Sequence, residues 1–375
     1  MSYKKVKLGE IAGFVNGYAF KPSHWGTIGK KIIRIQNLTD INKPFNRTSI
    51  EVDKKYNVTK GDILVSWSAT LDVFEWNDDE ALLNQHIFKV VPDFKILRKD
   101  YFKYALKRTI EGMLKFTHGS TMKHINRGDF LETKIPLPPL EEQKRIAAIL
   151  DKADALRRKR QQAIDLSNQF LRSVFLDMFG DPVTNPKGWK MDKVGRFTEC
   201  IVPGRDKPKS FTGTIPWVTT NDLMHLDCTS KPQKFIGLSS EEISQVNARI
   251  IPAGSVLMTC VGDLGVISIA ANEMVINQQL HSFQCSKEIN NLFLMFALSF
   301  QKHFMFKMAS NTTLPYMNKT ICNSIPIIVP VLSLQMKFAN VFTKAQIFKQ
   351  SLNSAMENDT LLFTSLSQKA FKGEL

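Results

Sequence analysis

The sequence lacks any apolar run long enough to cross a bilayer. Its longest nearly continuous one, residues 292–300, falls well short of the ~20 residues a spanning helix needs. After the early lysines of MSYKKVKLGE there is no apolar stretch of the kind a secretion signal carries. Cysteine is sparse: there are five, all in the second half and none in a C-x-x-C pair. That spacing argues against a disulfide scaffold and against a metal site, and it fits a reducing, cytoplasmic setting. Catalytic signatures are absent too. There is no G-x-x-x-x-G-K-[ST], no H-E-x-x-H and no complete G-x-G-x-x-G, and the seven histidines are scattered. The D/N-P-P-Y/F loop that holds a flipped adenine is missing, because Pro138-Pro139 stands between Leu137 and Leu140. The closest approach to a nuclease carboxylate cluster, Asp78-Asp79-Glu80, reads as a turn beside Asn77. The chain is therefore expected to catalyse nothing by itself and to hold no cofactor.

What is present is size and positive charge. The 375 residues suffice for about two or three domains. A 43% hydrophobic content excludes a disordered chain. The formal charge is +15, spread along the whole chain and heaviest in residues 1–140, which points to a polyanionic partner met by folded basic surfaces rather than by a tail.

A faint internal repeat runs through the chain at an offset of about 190 residues. "IRIQNL" (33–38) resembles "WVTTNDL" (217–223), "VTKGDILVS" (58–66) resembles "IPAGSVLMT" (251–259), and "LLNQH" (82–86) resembles "VINQQ" (275–279). "PPLEEQKRIA" (138–147) aligns with "PVLSLQMKFA" (330–339), pairing Gln143 with Gln335; the copies then run without gaps to Phe179 and Phe371. The preserved order makes the repeat credible.

Each copy has a mixed part, 1–135 and 181–328, in which short β-type runs alternate with turn signals. One helix is expected in each: from an Asp100 N-cap to Phe116, and from Asn290 or Asn291 to Met308. Each then has a long helical part, 136–180 and 329–375, opening at prolines. Seven-residue spacing gives one seam of Ile146, Ile149, Ala153, Leu156, Arg160, Ala163, Ser167, Phe170 and Val174. The other is Phe338, Val341, Ala345, Phe348, Leu352, Ala355, Asp359, Leu362 and Leu366. At 1.5 Å per residue, 141–178 would make a rod of about 57 Å. The fold class expected is α+β, with two pseudo-repeated globular domains separated by two long helices forming an antiparallel coiled coil. Two helices packed each on its own domain is the alternative left open by the pattern. Arg160, Ser167 and Asp359 are the polar seam positions available for pairing.

A duplicated basic domain on a stiff spacer suits two short DNA sites a fixed distance apart. Side chains that read base edges are Arg, Lys, Asn, Gln and short hydroxyls. In the first domain the candidates are Arg34, Gln36 and Asn37 in one β-type run, then Ser68 and Thr70 beyond an apolar strand. Gln85 and His86 follow Leu82-Leu83, and Lys123, His124 and Arg127 form a basic loop. In the second domain they are Arg205, Lys207 and Lys209 for phosphates, Thr220 and Asn221, Gln278 and Gln279, and Thr312, Thr313 and Lys319. The repeated Asn84-Gln85 and Asn277-Gln278 have a plainer reading, as side chains that hold a loop, and Trp67 is expected to be packed.

"IPLPPLEEQKRIAAILDKADALRRKRQ" (135–161) with "SVFLDMFGDPVTNPKGW" (173–189) strongly resembles the central region of specificity subunits of type I restriction-modification systems. "SLSQKAFKGEL" (365–375) resembles that family's usual end, and "GDILVS" with "NQH" resembles its target-recognition domains. The resemblance implies a non-catalytic DNA-recognition subunit. Residues 1–135 and 181–328 would each read one half of an asymmetric bipartite site, and the paired helices would set the gap. It also implies two adenine-N6 methyltransferase (modification) subunits docked on those helices, with restriction subunits added for cleavage. S-adenosylmethionine, ATP and Mg would belong to those partners. The competing class is a coiled-coil adaptor without base specificity.

Overall fold

The computed structural model describes residues 3–40, 42–114, 126–204, 206–234, 236–310 and 313–375. It divides into two compact units: Met1–Arg160 with Ala355–Leu375, and Gln161–Ser354. Each half of a long helix thus belongs by its contacts to the domain it packs on.

The first unit holds a four-stranded antiparallel sheet in the order Ala12–Asn16, Ile87–Pro92, Ile63–Ser66, Asp72–Glu75. A second sheet runs Asn46–Thr48, Lys30–Ile33, Ala81–Leu83, Asn57–Val58, with its middle pair parallel. The run Ile63-Leu64-Val65-Ser66 is buried throughout because its faces feed two cores. Ile63 and Val65 join Tyr101, Phe102, Leu106 and Phe130, whereas Leu64 joins Ile33, Val58, Trp76 and Leu83.

The second unit repeats this plan. A five-stranded sheet runs Thr198–Ile201, Leu280–Cys285, Val256–Thr259, Ile267–Ala270, Cys228–Thr229, and a three-stranded one runs Gly237–Leu238, Ile215–Val218, Val275–Ile276. Val256 and Met258 enter one core and Leu257 the other. Register repeats as well: Ile63 pairs with Val90 as Val256 pairs with Phe283. The parallel contact recurs too, with Ile32 opposite Leu82 in the first unit and Trp217 opposite Val275 in the second.

The expected helices differ in detail. The first is Lys99–Leu114, so Asp100 lies in its first turn rather than at the cap, accepting from Tyr101 N at 2.9 Å. In the second unit Asn290 does cap, accepting from Leu292 N and Phe293 N. That helix stops at Ser299 and a second, Lys302–Met308, follows. The turn between, closed by Gln301 N donating to Leu298 O at 2.9 Å, sends Met305 into the core.

The long helices are Leu140–Phe179 and Leu332–Lys372. In the first unit their segments run antiparallel: Arg145 donates to Leu375 O at 2.9 Å, Arg157 lies 4.9 Å from the Phe363 ring, and Arg160 pairs with Asp359. In the second unit Lys349 donates to Asn168 at 2.9 Å and Phe175 meets Phe338 at 5.2 Å, again antiparallel. Each helix is followed directly by a glycine, Gly180 or Gly373, with φ of +75° and +77°, a C-terminal conformation that favours glycine.

Half of the expected seam is corrected. Ile146, Ala153, Ser167, Phe338 and Asp359 are buried, with Val174, Leu352 and Leu366 partly so, but the alternate row lies four residues on rather than three. Leu150, Ile164, Leu171, Phe342 and Ala370 are buried, whereas Leu156, Phe170, Phe348 and Leu362 are 40%, 52%, 58% and 49% exposed. Ile149 and Val341 sit at the margin. Arg157 and Lys349 interrupt the true row and so hide it from an apolar-spacing argument. Arg157 is compensated by Phe363, and Lys349 by Asp227, with Nζ and Oδ2 2.6 Å apart.

Candidate nucleic-acid interface

In the second unit five of the expected residues line one cavity of about 550 Å³: Lys207, Thr220, Asn221, Gln278 and Gln279. They come from three loops. Thr220 and Asn221 open the short turn Thr220–Asp222, which Asp222 secures: its carboxylate accepts from Thr219 N at 2.8 Å, Thr219 Oγ1 at 2.7 Å and Gln233 N at 2.9 Å. Asn277 has the loop-holding role, accepting from Gln279 N and donating to Gln279 Oε1, both at 3.2 Å. Its neighbours Gln278 and Gln279 line the cleft.

The second-domain loop that carries Lys207 and Lys209 is anchored by Glu242, which accepts from Thr212 N at 3.1 Å and Ser239 N at 2.9 Å. Hydrogen bonds from the Ser210 hydroxyl, then from Ser239 N and Thr212, hold its carboxyl down at about 2. Lys207 and Lys209 are exposed on this loop, and Arg205 lies outside the described residues. Two wall residues were missed from the sequence, Gln233 and Lys234. They precede an apolar residue in a stretch with no counterpart motif in the first copy, so the repeat gave no signal for them.

The first domain changes more of the expectation. Arg34, Gln36 and Asn37 do not share a strand: Ile35–Thr39 is a short helix with Arg34 at its N-cap. Asn37 is buried and structural. It accepts from Arg34 N at 3.2 Å and donates to Lys43 O and Pro44 O at 3.1 and 3.2 Å, so it is withdrawn as a base reader. Gln36 is exposed, and the Arg34 guanidinium lies 5.0 Å from the Trp25 ring. Ser68 is half-buried and Thr70 exposed in the turn after Ile63–Ser66, where Ala69 has a φ of +58°.

Gln85 and His86 are half-buried. Gln85 N donates to Tyr18 O at 2.9 Å, and a side chain at Gly17 would collide with Asn84 O, so backbone packing fixes this turn. Asn84 Oδ1 and His86 Nδ1 are buried without a hydrogen-bond partner among the described residues. Lys123, His124 and Thr312 lie outside the described residues, and Thr313 is exposed. Arg127 and Lys319 are equivalent and exposed. Each is the first residue of a short helix, Arg127–Glu132 or Lys319–Asn323, behind an asparagine cap, Asn126 or Asn318.

The arrangement supplies cations with amide and hydroxyl groups at loop edges: hydrogen-bonding surface with phosphate-binding capacity. On the second unit the misassigned seam positions Phe170, Val341 and Phe348 line an exposed apolar groove of about 620 Å³ together with Leu166 and Lys344. No described helix is long and apolar enough to cross a membrane.

Two DNA-specificity domains are what comparison with known families finds. The model for the type I restriction modification DNA specificity domain matches residues 2–166 and again 186–359, and the chain belongs to that family. It is therefore a type I specificity subunit, of a kind that is non-catalytic on its own, binds DNA and assembles with other restriction-modification subunits. It is 23% identical to the type I restriction enzyme EcoBI specificity subunit of Escherichia coli, across 100% of this chain and 86% of that protein. A Methanocaldococcus jannaschii relative, the MjaVIII specificity subunit, is 29% identical over 39% of this chain and 35% of its own. The solved S subunit from M. genitalium shares the fold at TM-score 0.57 and 16% identity, covering 99% of this chain and 96% of that one.

Proposed function

We propose that the two domains read separate halves of one asymmetric, bipartite DNA sequence, and that the antiparallel helices set the spacer between them. The observation that carries this is the second-domain cleft, where Lys207, Thr220, Asn221, Gln278 and Gln279 meet although they are far apart in the chain. Amides and hydroxyls discriminate base edges, and lysine neutralises phosphate. The first domain has different residues at corresponding places, Arg34 and Gln36 against Thr219 and Asn221, which suits two unlike half-sites.

The helices also dock two adenine-N6 methyltransferase subunits, and restriction subunits join for cleavage. Exposed Leu156, Phe170, Phe348 and Leu362 support this, since such side chains on a helix pair favour a protein partner. S-adenosylmethionine, ATP and Mg act on those partners, in the cytoplasm. Exchange of residues 1–135 for the corresponding domain of another family member tests the division of labour. One half of the methylated sequence changes and the other stays; a change in both halves overturns it.

A further inference from the structure

Three donor side chains from distant parts of the second domain meet in its core. Cys260 follows the strand Val256–Thr259, His281 is the second residue of Leu280–Cys285, and Cys322 lies in the helix Lys319–Asn323. All three are buried, at 0%, 1% and 0% exposure. The two Sγ atoms are 3.6 Å apart, His281 Nδ1 is 3.2 Å from Cys322 Sγ, and the three donor atoms all lie within 4.8 Å of one another. Zinc bonds of about 2.3 Å to sulfur and 2.0–2.1 Å to nitrogen, at a tetrahedral angle, put neighbouring sulfurs about 3.8 Å apart and sulfur about 3.5 Å from nitrogen. The Cys260–Cys322 and His281–Cys322 pairs are each within a few tenths of an ångström of those spacings.

The internal repeat supplies an independent argument. The equivalent positions in the first domain are Trp67, just after Ile63–Ser66, Phe88, second in Ile87–Pro92, and Phe130 in Arg127–Glu132. There the three rings stack in series, Trp67 on Phe88 at 5.8 Å and Phe88 on Phe130 at 6.2 Å. The same three places in one fold thus hold either a stack of rings or two thiols and an imidazole. A lone cysteine would be an ordinary small core residue, and a buried imidazole needs a polar partner. Replacement of a whole contacting triplet by metal-ligating types is what a cation requires and what apolar packing does not.

We infer that Cys260, His281 and Cys322 bind a zinc ion that braces the second domain. Both sulfurs ligate as thiolates, so uptake of the ion releases the thiol protons to solvent. Cys200, buried opposite Phe283, projects from the same sheet face as His281 and adds a further thiol there. Cys260 N donates to Gln279 O at 2.8 Å and Met317 N to Cys260 O at 2.9 Å, so the ion would tie together segments bordering the Gln279 turn and the Lys319 helix. Sequence spacing hid the site, because strand pairing and a helix bring the donors together rather than a C-x-x-C turn.

Metal content of the full chain, purified under reducing, chelator-free conditions, tests this independently of DNA reading. Zinc is expected at about one per chain, and cobalt substitution gives a thiolate-to-cobalt charge-transfer band. Cys260→Ser and Cys322→Ser lose the metal and the band, whereas Cys285→Ser keeps both. If the serine variants do not fold, the wild-type cobalt spectrum decides. A wild-type chain without stoichiometric metal, a cobalt complex without the thiolate band, or a band that survives the double serine variant overturns the site.

Discussion

Gln143 and Gln335, at equivalent places in the two copies, make the same buried clasp. Gln143 donates to Pro138 O and Ile96 O at 2.8 Å and accepts from Arg98 N at 2.8 Å. Gln335 donates to Pro330 O at 2.8 Å and accepts from Asn290 N at 2.9 Å. Each ties the first turn of a long helix to the segment that starts its domain's own helix, and both are 0% exposed. Gln143→Leu strands a buried donor and two acceptors and is expected to cost about 2–4 kcal/mol. Urea unfolding measures it; an unchanged midpoint would mean that the clasp contributes nothing.

The corrected seam separates residues that the spacing argument could not. Leu150→Ala and Ile164→Ala remove fully or nearly buried side chains and should each cost about 2–5 kcal/mol. Phe170→Ala and Phe348→Ala, both on the open groove, should cost well under about 1 kcal/mol in folding yet weaken methyltransferase docking. Thermal unfolding of the chain alone, beside co-purification of the subunits, distinguishes the two rows.

Lys349 is buried between Asp227, at 2.6 Å, and Asn168, at 2.9 Å, with Gln346 donating to the other Asp227 oxygen at 2.7 Å. Lys349→Met leaves Asp227 buried and unpaired and is expected to cost about 3–5 kcal/mol. Lys349→Met with Asp227→Leu should recover much of that. A double variant as unstable as the sum of the singles would show no coupling.

Acid should loosen the Lys207–Lys209 loop through Glu242. Its carboxyl is held at about 2 against an ordinary 4.5, chiefly by the Ser210 hydroxyl. A carboxylate whose value is lowered on folding stabilises fully above its ordinary value and loses that contribution as pH falls toward the folded one. The contribution is therefore complete above about pH 4.5 and lost toward about pH 2. Glu242→Gln should flatten this part of the stability profile; an unaltered acid limb would contradict the assignment.

Lys207→Ala should weaken DNA binding for all sequences alike and lower the slope of log K against log salt by about 0.9, one neutralised phosphate. Asn221→Ala and Gln279→Ala should instead relax one half-site at about 1–3 kcal/mol per lost base contact. Binding isotherms over a salt series check both.

Much of this fold was legible because the repeat aligned Ile63–Ser66 with Val256–Thr259, and proline boxes marked where the long helices begin. The row of the seam was not legible, since Arg157 and Lys349 break an apolar pattern that ring contact and a buried carboxylate restore. In the interface, Asn221 and Gln279 could be found by residue type. Asn37 could not be set aside, because its burial depends on a helix too short to leave a periodic signal. The approach of Lys234 to that cleft depends on loop closure and has no pattern in the chain.

Single-molecule sequencing of DNA methylated in cells that express this chain with its methyltransferase tests the central claim most directly. Two short specified blocks, unlike each other and separated by a fixed unspecified gap, with N6-methyladenine in each, is the result predicted. Methylation at one continuous motif, or at adenines with no shared sequence, would contradict it.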